Sequence, residues 1–365
     1  MSGTETYFNF QNLHRAYRDC RRRKTRTYYH MQFANNLEEN LFSLQRQLKN
    51  RTYKPGQSIA FIVQKPKIRE IFAADFRDRV VHHLLYNYLA PIFERVFIYD
   101  SWACREGKGT HGAMFRLRDF EVRLARERRV SAGGRYLKMD IKSFFTSIDK
   151  QILYDLVVRK VKNEEILWLS KTIIFHDCAH DVPPKIQSQQ SLFDKLPGDK
   201  SLFTANAGKG LPIGNLTSQF FANVYLNELD QFVKHQLKAK YYVRYVDDFI
   251  ILDNDRELLE LYKSAITGFV DKRLGLRVHP DKVYIRPVSS GADFVGYVVR
   301  PDYVLVRRRV VGDWRRAMEL TTDDKLRQQT LASYTAHAMW ANSYGLTKKM
   351  GEILNTNGYN RIVRN

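Results

Sequence analysis

Three aspartates in two strand-like segments are the residues of this sequence best suited to chemistry. Asp247 and Asp248 are adjacent and lie between two apolar runs that have the length of β-strands, and Asp140 ends a third such run. Carboxylate oxygens are ligands that Mg²⁺ prefers. Two such ions about 3.5–4 Å apart can hold the attacking and leaving oxygens of a phosphoryl transfer. The pattern therefore predicts metal-assisted phosphoryl transfer, with Asp140, Asp247 and Asp248 as catalytic residues.

The same aspartates also have ordinary structural explanations. Acidic residues are common in tight turns, and a lone Asp often caps a helix. Asp247 and Asp248, however, are flanked by strand-forming residues and lack the Gly or Asn that hairpin turns prefer. Because aspartates here suit the turn less well than Gly or Asn would, their presence favours the metal-binding interpretation.

The charge of the chain points to a polyanionic partner. Its 365 residues carry a formal net charge of +21, and neutralising phosphates with Lys and Arg releases condensed counterions. A merely basic protein, such as a ribosome-like one, is the alternative that charge alone leaves open. The overall composition is that of a folded globular protein.

Cysteine usage and apolar run lengths indicate a cytoplasmic protein with no membrane partner. Cys20, Cys104 and Cys178 are far apart and form no CxxC pair, so we expect neither a zinc site nor a disulfide framework. The N-terminus lacks a signal pattern, and no apolar run approaches the roughly 20 residues of a membrane helix.

The elements that must position the aspartates alternate irregularly, which predicts an α+β protein. Period and turn residues predict two helices in 11–50, a hairpin at 58–72 with Pro66 in its turn, and a helix at 76–97. They next predict a strand at 133–141, helices in 147–175, an insertion or ordered loop at 176–210, and a helix at 217–237. Strands at 241–246 and 249–252, a helix at 257–273, a strand at 278–285, a hairpin at 293–310 and helices in 312–350 complete the order.

Three segments carry a family resemblance. LKMDIKSFF, GLPIGNLTSQFFANVYLNELD and YVRYVDDFIIL resemble motifs A, B and C of reverse transcriptases, in that order. The resemblance covers residues 55–300 and implies a right-hand polymerase fold with fingers, an antiparallel palm sheet and a helical thumb. Its expected bounds are an N-terminal helical extension at 1–54, fingers at 55–132, palm at 133–300 with the 176–210 insertion, and thumb at 301–365.

The resemblance also implies an activity and its cofactor. We expect an RNA-directed DNA polymerase that uses two Mg²⁺ ions, with Mn²⁺ as a substitute. Asp140 and Asp247 are then the principal metal ligands, Asp248 completes the cluster, and Ile141 is counted with them.

Further site residues follow from the same motifs. Phe145 matches the aromatic gate against ribonucleotides, although Phe144 and Phe145 also suit a core. Lys282 matches a lysine that donates a proton to pyrophosphate, with a surface lysine as the alternative. The remaining expected nucleotide contacts are Lys65, Arg69, Ile213, Gly214 and Gln219, and the expected template and primer contacts are Arg105, Phe294, Gly296 and Tyr297.

Motif B departs from the common pattern of the family. Most reverse transcriptases have Gln before the Gly, whereas this chain has Ile213 before Gly214, and an Ile side chain cannot form hydrogen bonds. The form IGNLTSQ resembles reverse transcriptases of diversity-generating retroelements, which err at template adenines. Phage-defence reverse transcriptases that copy a noncoding RNA share much of the pattern, and the 176–210 insertion keeps that alternative open.

Partners follow from the expected activity. They are the RNA template, the primer or cDNA, deoxynucleotides, a structured noncoding RNA, and either a small basic accessory protein or further copies of the chain, because no maturase or endonuclease extension is seen. Candidate RNA surfaces are the basic segments 15–26, 122–130 and 307–316. A polymerase fold that serves only as an RNA scaffold, and a nuclease, are the alternatives from other classes.

Overall fold

The computed structural model describes residues 6–22, 27–64, 67–127, 134–181, 193 and 195–352. Helices in the described chain are α1 (Phe10–Arg21), α2 (Tyr28–Asn35), α3 (Leu37–Lys49), α4 (Phe76–Glu94), α5 (Thr110–Arg126), α6 (Phe144–Ser147), α7 (Lys150–Lys160), α8 (Glu164–Phe175), α9 (Leu216–Gln231), α10 (Arg256–Leu274), α11 (Arg308–Leu320) and α12 (Asp324–Ala338). Strands are β1 (Ile59–Val63), β2 (Arg69–Ala73), β3 (Arg135–Asp140), β4 (Tyr241–Tyr245), β5 (Asp248–Asp253), β6 (Tyr284–Pro287), β7 (Ala292–Phe294), β8 (Tyr297–Val299) and β9 (Val304–Val306).

The chain forms two compact units, each assembled from three stretches of sequence. The first unit comprises Met1–Cys104, Ile141–Gln236 and Ala265–Pro280. The second comprises Arg105–Asp140, Leu237–Ser264 and Asp281–Asn365.

Helices α4 and α9 form the centre of the first unit. The side chain of Asp75 caps α4 by accepting from the Arg77 amide, which satisfies one of the amides left free at a helix start. Helix α1 packs on α4, as does α9, and Leu84, Phe221 and Leu229 are almost entirely buried. The β1–β2 hairpin belongs to this unit, with Ile59 opposite Ala73.

A four-stranded antiparallel sheet is the frame of the second unit. Its order is β4-β5-β3-β6, and α5 packs on β4 and β5. Tyr136, Leu137 and Met139 of β3 are all buried, so this strand is covered on both faces.

A smaller three-stranded sheet of order β7-β8-β9 completes the second unit together with α11 and α12. Trp314 and Met318 of α11 are fully buried in a cluster with Ala338 of α12. Residues 344–352 form a further helical segment.

Most expected elements are present, with three corrections. Residues 11–50 contain three helices rather than two. Residues 280–282 form a 3-10 turn, and the strand expected from 278 begins at Tyr284. The expected hairpin at 293–310 is a meander of three strands, and α11 already begins at Arg308. The sequence does not distinguish these strands, because short strands separated by two to four residues show too little periodicity.

No helix among the described residues combines the length and the apolar content that crossing a membrane requires.

Candidate active site

Strands β3 and β5 bring two of the three aspartates together. Asp140 is the last residue of β3 and lies directly opposite Asp248, the first residue of β5. Residues opposite each other in an antiparallel pair have Cβ atoms about 4.5–5.5 Å apart. Carboxylates that are 108 positions apart in sequence therefore lie side by side at one end of the sheet.

The third aspartate lies in the turn that joins β4 to β5. Tyr245 pairs with Asp248, so Val246 and Asp247 form a two-residue hairpin loop. Val246 has a φ of +54°, a region that a β-branched residue enters only under strain. The sequence expectation of an acidic pair within the turn is refined, since Asp247 occupies the turn and Asp248 opens the strand.

A buried lysine contacts Asp248. The Lys138 ammonium donates to Asp248 Oδ2 at 3.0 Å, while Asp248 Oδ1 is buried without a hydrogen-bond partner in the described structure. Burial raises the pKa of Asp248 to about 7 against the lowering effect of Lys138, and the negative charges of Asp140 and Asp247 raise it further. The site thus concentrates negative charge that a cation would relieve.

A second lysine contacts Asp140. Lys282, in the 3-10 turn Pro280–Lys282, donates to Asp140 Oδ1 at 2.9 Å. Its side chain is 42% exposed and that of Asp140 is 16% exposed. Lys282 is therefore the more solvent-exposed partner of this ion pair.

The donor set suits a hard divalent cation. All three side chains offer carboxylate oxygens, the ligand type of Mg²⁺ and Mn²⁺, and the buried Asp248 Oδ1 has no hydrogen-bond partner among the described residues. No group of three or more His, Cys, Asp and Glu side chains in the described chain is by itself arranged to hold a metal. A bound ion would accordingly take further oxygens from substrate phosphates and water, as Mg²⁺ commonly does.

The residues expected on the primer side form a tight hairpin in the same unit. Phe294 pairs with Tyr297, and the loop residues Val295 and Gly296 both have positive φ, +45° and +93°, as a primed two-residue turn requires. Phe294 and Tyr297 are fully buried, so their side chains hold the hairpin in place, and Gly296 at its tip is half-buried.

Stacked rings support this hairpin. The Tyr297 hydroxyl donates to the carbonyl oxygen of His337 at 2.8 Å, and the two rings stack at 4.4 Å. His111 stacks on Trp340 at 4.7 Å. Arg105 of the expected template segment is half-buried.

The first unit holds the residues expected around the nucleotide. Phe144 is buried, at 2% exposure, and Phe145 beside it is half-buried. The two rings meet edge to face at 5.4 Å. The core role therefore belongs to Phe144, and Phe145 is the more accessible of the two rings. Ile141 is buried and bridges to Val278.

The motif B loop is bonded to β2. The Phe72 amide donates to the carbonyl oxygen of Ile213 at 2.8 Å. At Gly214, whose φ is +132°, a Cβ atom would lie 2.6 Å from the Phe72 carbonyl oxygen, so no larger residue fits without a shift. Gln219 and Arg69 are exposed, and Lys65 lies outside the described residues.

Sequence reasoning missed Lys138. The available signal was a lysine in the middle of an otherwise apolar strand, two residues before Asp140. Such a residue costs free energy unless an opposite charge lies next to it, and Asp248 is that charge.

Comparisons with known proteins agree with this geometry. Residues 54–299, more than half of the chain, match the family model "Reverse transcriptase (RNA-dependent DNA polymerase)". The chain is 24% identical over 278 residues to protein YkfC of Escherichia coli, covering 67% of this chain and 66% of that protein. It is 22% identical over 330 residues to the group II intron-encoded protein LtrA of Lactococcus lactis, covering 72% of this chain and 50% of that protein.

The chain spans about half to two thirds of the length of these relatives. Among solved structures, telomerase from Candida albicans aligns with a TM-score of 0.45 and 12% identity over 78% of this chain and 55% of that chain. On the extent of the family match, this chain belongs to the reverse transcriptase family and has its α+β polymerase fold.

Proposed function

We propose that this protein is an RNA-directed DNA polymerase that copies an RNA template into cDNA by nucleotidyl transfer. The observation that carries the proposal is the cross-strand pair of Asp140 and Asp248 beside the strained Val246–Asp247 turn. Strain at a non-glycine residue persists where function requires the geometry.

Asp140, Ile141, Asp247 and Asp248 would hold two Mg²⁺ ions, or Mn²⁺ in their place. When bound, the ions would neutralise charge at the attacking 3′ oxygen and at the departing pyrophosphate. Lys282 would supply a proton to the pyrophosphate from its position beside Asp140, 2.9 Å away. A lysine at 42% exposure has room to turn from a carboxylate to a substrate oxygen.

A second set of residues would select the nucleotide. The exposed guanidinium of Arg69 would bind the triphosphate, because its planar fork donates two parallel hydrogen bonds, with Lys65 adding charge. The Phe145 ring would exclude a ribose 2′-hydroxyl, and Ile213, Gly214 and Gln219 would lie at the templating pair. Arg105 and Gly296, at the tip of the hairpin that the buried Phe294 and Tyr297 hold in place, would contact template and primer.

The test of this proposal is the Asp247→Asn variant. Because Asn keeps the shape but loses the charge that binds the cation, primer extension on an RNA template should fall by about 10³-fold or more. Circular dichroism and melting temperature should stay close to those of the unchanged protein.

Asp253→Asn is the matched control, since Asp253 ends the same strand β5 at the far side of the sheet. It should extend primers at the normal rate. Full activity of Asp247→Asn, or extension that persists in excess chelator, would refute the polymerase assignment and leave an RNA-binding scaffold.

We further propose that the enzyme works in a diversity-generating retroelement and copies a dedicated structured RNA. The support is Ile213, an apolar residue where a hydrogen-bonding Gln is common, in a loop tied to β2 through the Phe72 amide. Without a hydrogen bond from this side chain, residue 213 contributes to base discrimination only through its shape.

Ile213→Gln should lower misincorporation opposite template adenine, measured by sequencing cDNA from a defined RNA. Ile213→Leu is the matched control and should leave the error spectrum unchanged, because it remains apolar. An unchanged spectrum in Ile213→Gln would place the source of errors elsewhere.

The 176–210 segment leaves open the alternative role, cDNA synthesis from a noncoding RNA in phage defence. Part of this segment forms 3-10 turns at Gly198–Lys200 and Leu202–Thr204, and Glu70 of β2 accepts from Ser201 at 2.6 Å. Sequencing the RNA that co-purifies with the chain distinguishes the roles: a template repeat matching a variable gene supports the retroelement, and an unrelated noncoding RNA supports defence. A small basic accessory protein or further copies of the chain would appear in the same purification.

A further inference from the structure

Lys138 is buried in the second unit between the catalytic carboxylates and the β7–β8 hairpin. It is 8% exposed, and its ammonium donates to Asp248 Oδ2 at 3.0 Å and to the main-chain oxygen of Asp293 in β7. The same ammonium lies 6.0 Å from the centre of the Phe294 ring. A buried ammonium requires such partners, because an uncompensated one is costly.

The main-chain oxygen of Asp293 in β7 needs a donor, and Lys138 supplies it. Strand β7 is at the edge of the β7-β8-β9 sheet, so the polar main-chain groups on its open side have no strand partner. Lys138 satisfies one of them at Asp293. The Asp293 side chain has a separate partner: the Arg307 guanidinium binds its carboxylate at 2.8 Å. The main-chain amide of Arg307 also donates to the Gly296 carbonyl oxygen at 3.0 Å.

We propose that Lys138 is a positioning residue that joins Asp248 to the β7–β8 hairpin, so that the metal-binding carboxylate and the primer-side hairpin keep one fixed spacing. This inference rests on the proposed polymerase function. Lys138 engages Oδ2 of Asp248, and the buried Oδ1 is the oxygen left for a cation. Such neighbours of metal ligands commonly fix ligand orientation.

The chain offers a matched control for this role. Lys150 is equally buried, at 7% exposure, and it donates to the carbonyl oxygen of His176 at 3.2 Å. It belongs to the first unit and is not among the residues proposed for catalysis. Lys138→Met and Lys150→Met therefore remove the same group from equally buried sites.

Two measurements without turnover test the proposal on the full chain. Mn²⁺ binding, followed by electron paramagnetic resonance with no nucleotide present, should weaken about tenfold in Lys138→Met. Amide hydrogen exchange at residues 292–299 should become about tenfold faster, because the hairpin loses its bond to the lysine. Lys150→Met should change neither quantity, and Lys138→Arg, which keeps a cationic donor, should restore much of the hairpin protection.

Unchanged or tighter Mn²⁺ binding in Lys138→Met, or hairpin exchange that equals that of the unchanged protein, would overturn the proposal. If Lys138→Met does not fold, the double variant Lys138→Met/Asp248→Asn removes both buried charges, and hairpin exchange must still be faster. The proposed activity is tested separately. If the protein without substitutions fails to extend primers, the polymerase assignment is refuted, whereas Mn²⁺ binding and hairpin hydrogen exchange still report on the role of Lys138.

Discussion

At the residue scale, Glu121 is a buried ionisable residue that has no role in the proposed catalysis. It lies in α5 with 1% exposure, and neither carboxylate oxygen has a hydrogen-bond partner in the described chain. Burial raises the pKa of Glu121 to about 8, although Arg300 and Arg118 lower it. Both arginines donate to main-chain oxygens instead, Arg118 to Pro301 and Arg300 to Ser289.

A pKa raised by folding makes stability depend on pH in a defined direction. Between the usual pKa of Glu near 4.5 and about 8, the folded state holds a proton that the unfolded state has released. Stability therefore falls as pH rises through this window. Glu121→Gln should raise the melting temperature at pH 8.5 by several degrees, corresponding to a few kcal/mol at most, and should gain much less at pH 5.

Glu319→Gln is the control for this prediction, because Glu319 is exposed on α11. Its melting temperature should follow that of the unchanged protein at both pH values. A gain for Glu121→Gln that is the same at pH 5 and pH 8.5 would show that the carboxyl does not titrate between them.

At the element scale, the loop that precedes α9 is fixed to strand β2. The Phe72 amide bonds to Ile213, the Ala74 amide bonds to the Asn215 side chain at 3.3 Å, and Gly214 lies between them with no room for a Cβ atom. The glycine of motif B is therefore required by close approach of two backbones as well as by its φ of +132°.

Gly214→Ala should destabilise the protein by about 2 kcal/mol or more, because the added methyl group meets a backbone oxygen that cannot turn away. Thermal unfolding measures the effect. Gly268→Ala is the matched control: Gly268 lies inside α10 with open space around it, so alanine there should stabilise by up to about 1 kcal/mol. Equal shifts in both variants would contradict the close packing at Gly214.

How far the sequence predicted the site can be judged from these elements. The position of Asp140 at a strand end followed from an apolar run that stops at an acidic residue, and the structure confirms that strand. Asp248 was expected in the turn, and the structure places it at the start of β5. The close approach of Gly214 to Phe72 and the hydrogen bond of Lys138 to Asp248 join residues more than 100 positions apart. No local pattern encodes such pairs, since they depend on strand order.

At the scale of the whole molecule, the net charge of +21 predicts binding that is governed by salt. Of the three basic segments, 307–316 is fully described, and its Arg308, Arg315 and Arg316 are exposed on α11 while Trp314 faces the core. The helix thus separates a cationic face from an apolar one. Segments 15–26 and 122–130 are described only in part.

Replacing Arg308, Arg315 and Arg316 together by Gln should weaken RNA binding and flatten its salt dependence. Each phosphate that the protein no longer neutralises reduces the slope of log K against log salt by about 0.7 to 0.9. Fluorescence anisotropy across a salt series gives the slope. The control replaces Lys171, Lys272 and Arg273 by Gln, since these residues are exposed outside the three basic segments. This variant removes the same charge and should change the slope little. An equal reduction of the slope in both triple variants would mean that RNA responds to the overall charge of the protein and not to a surface on α11.

The sequence by itself determined the type of protein: three motifs in order, the carboxylates that end apolar runs, and the α+β alternation are local patterns that the chain spells out directly. Only the tertiary structure decided which atoms meet. Strand order placed Asp140 opposite Asp248 and brought the Lys138 ammonium into hydrogen bonds with Asp248 and with the main chain of edge strand β7. A strand fixes the direction of its side chains through its own period, but its neighbours are chosen by packing of the whole sheet, and that choice has no local signature.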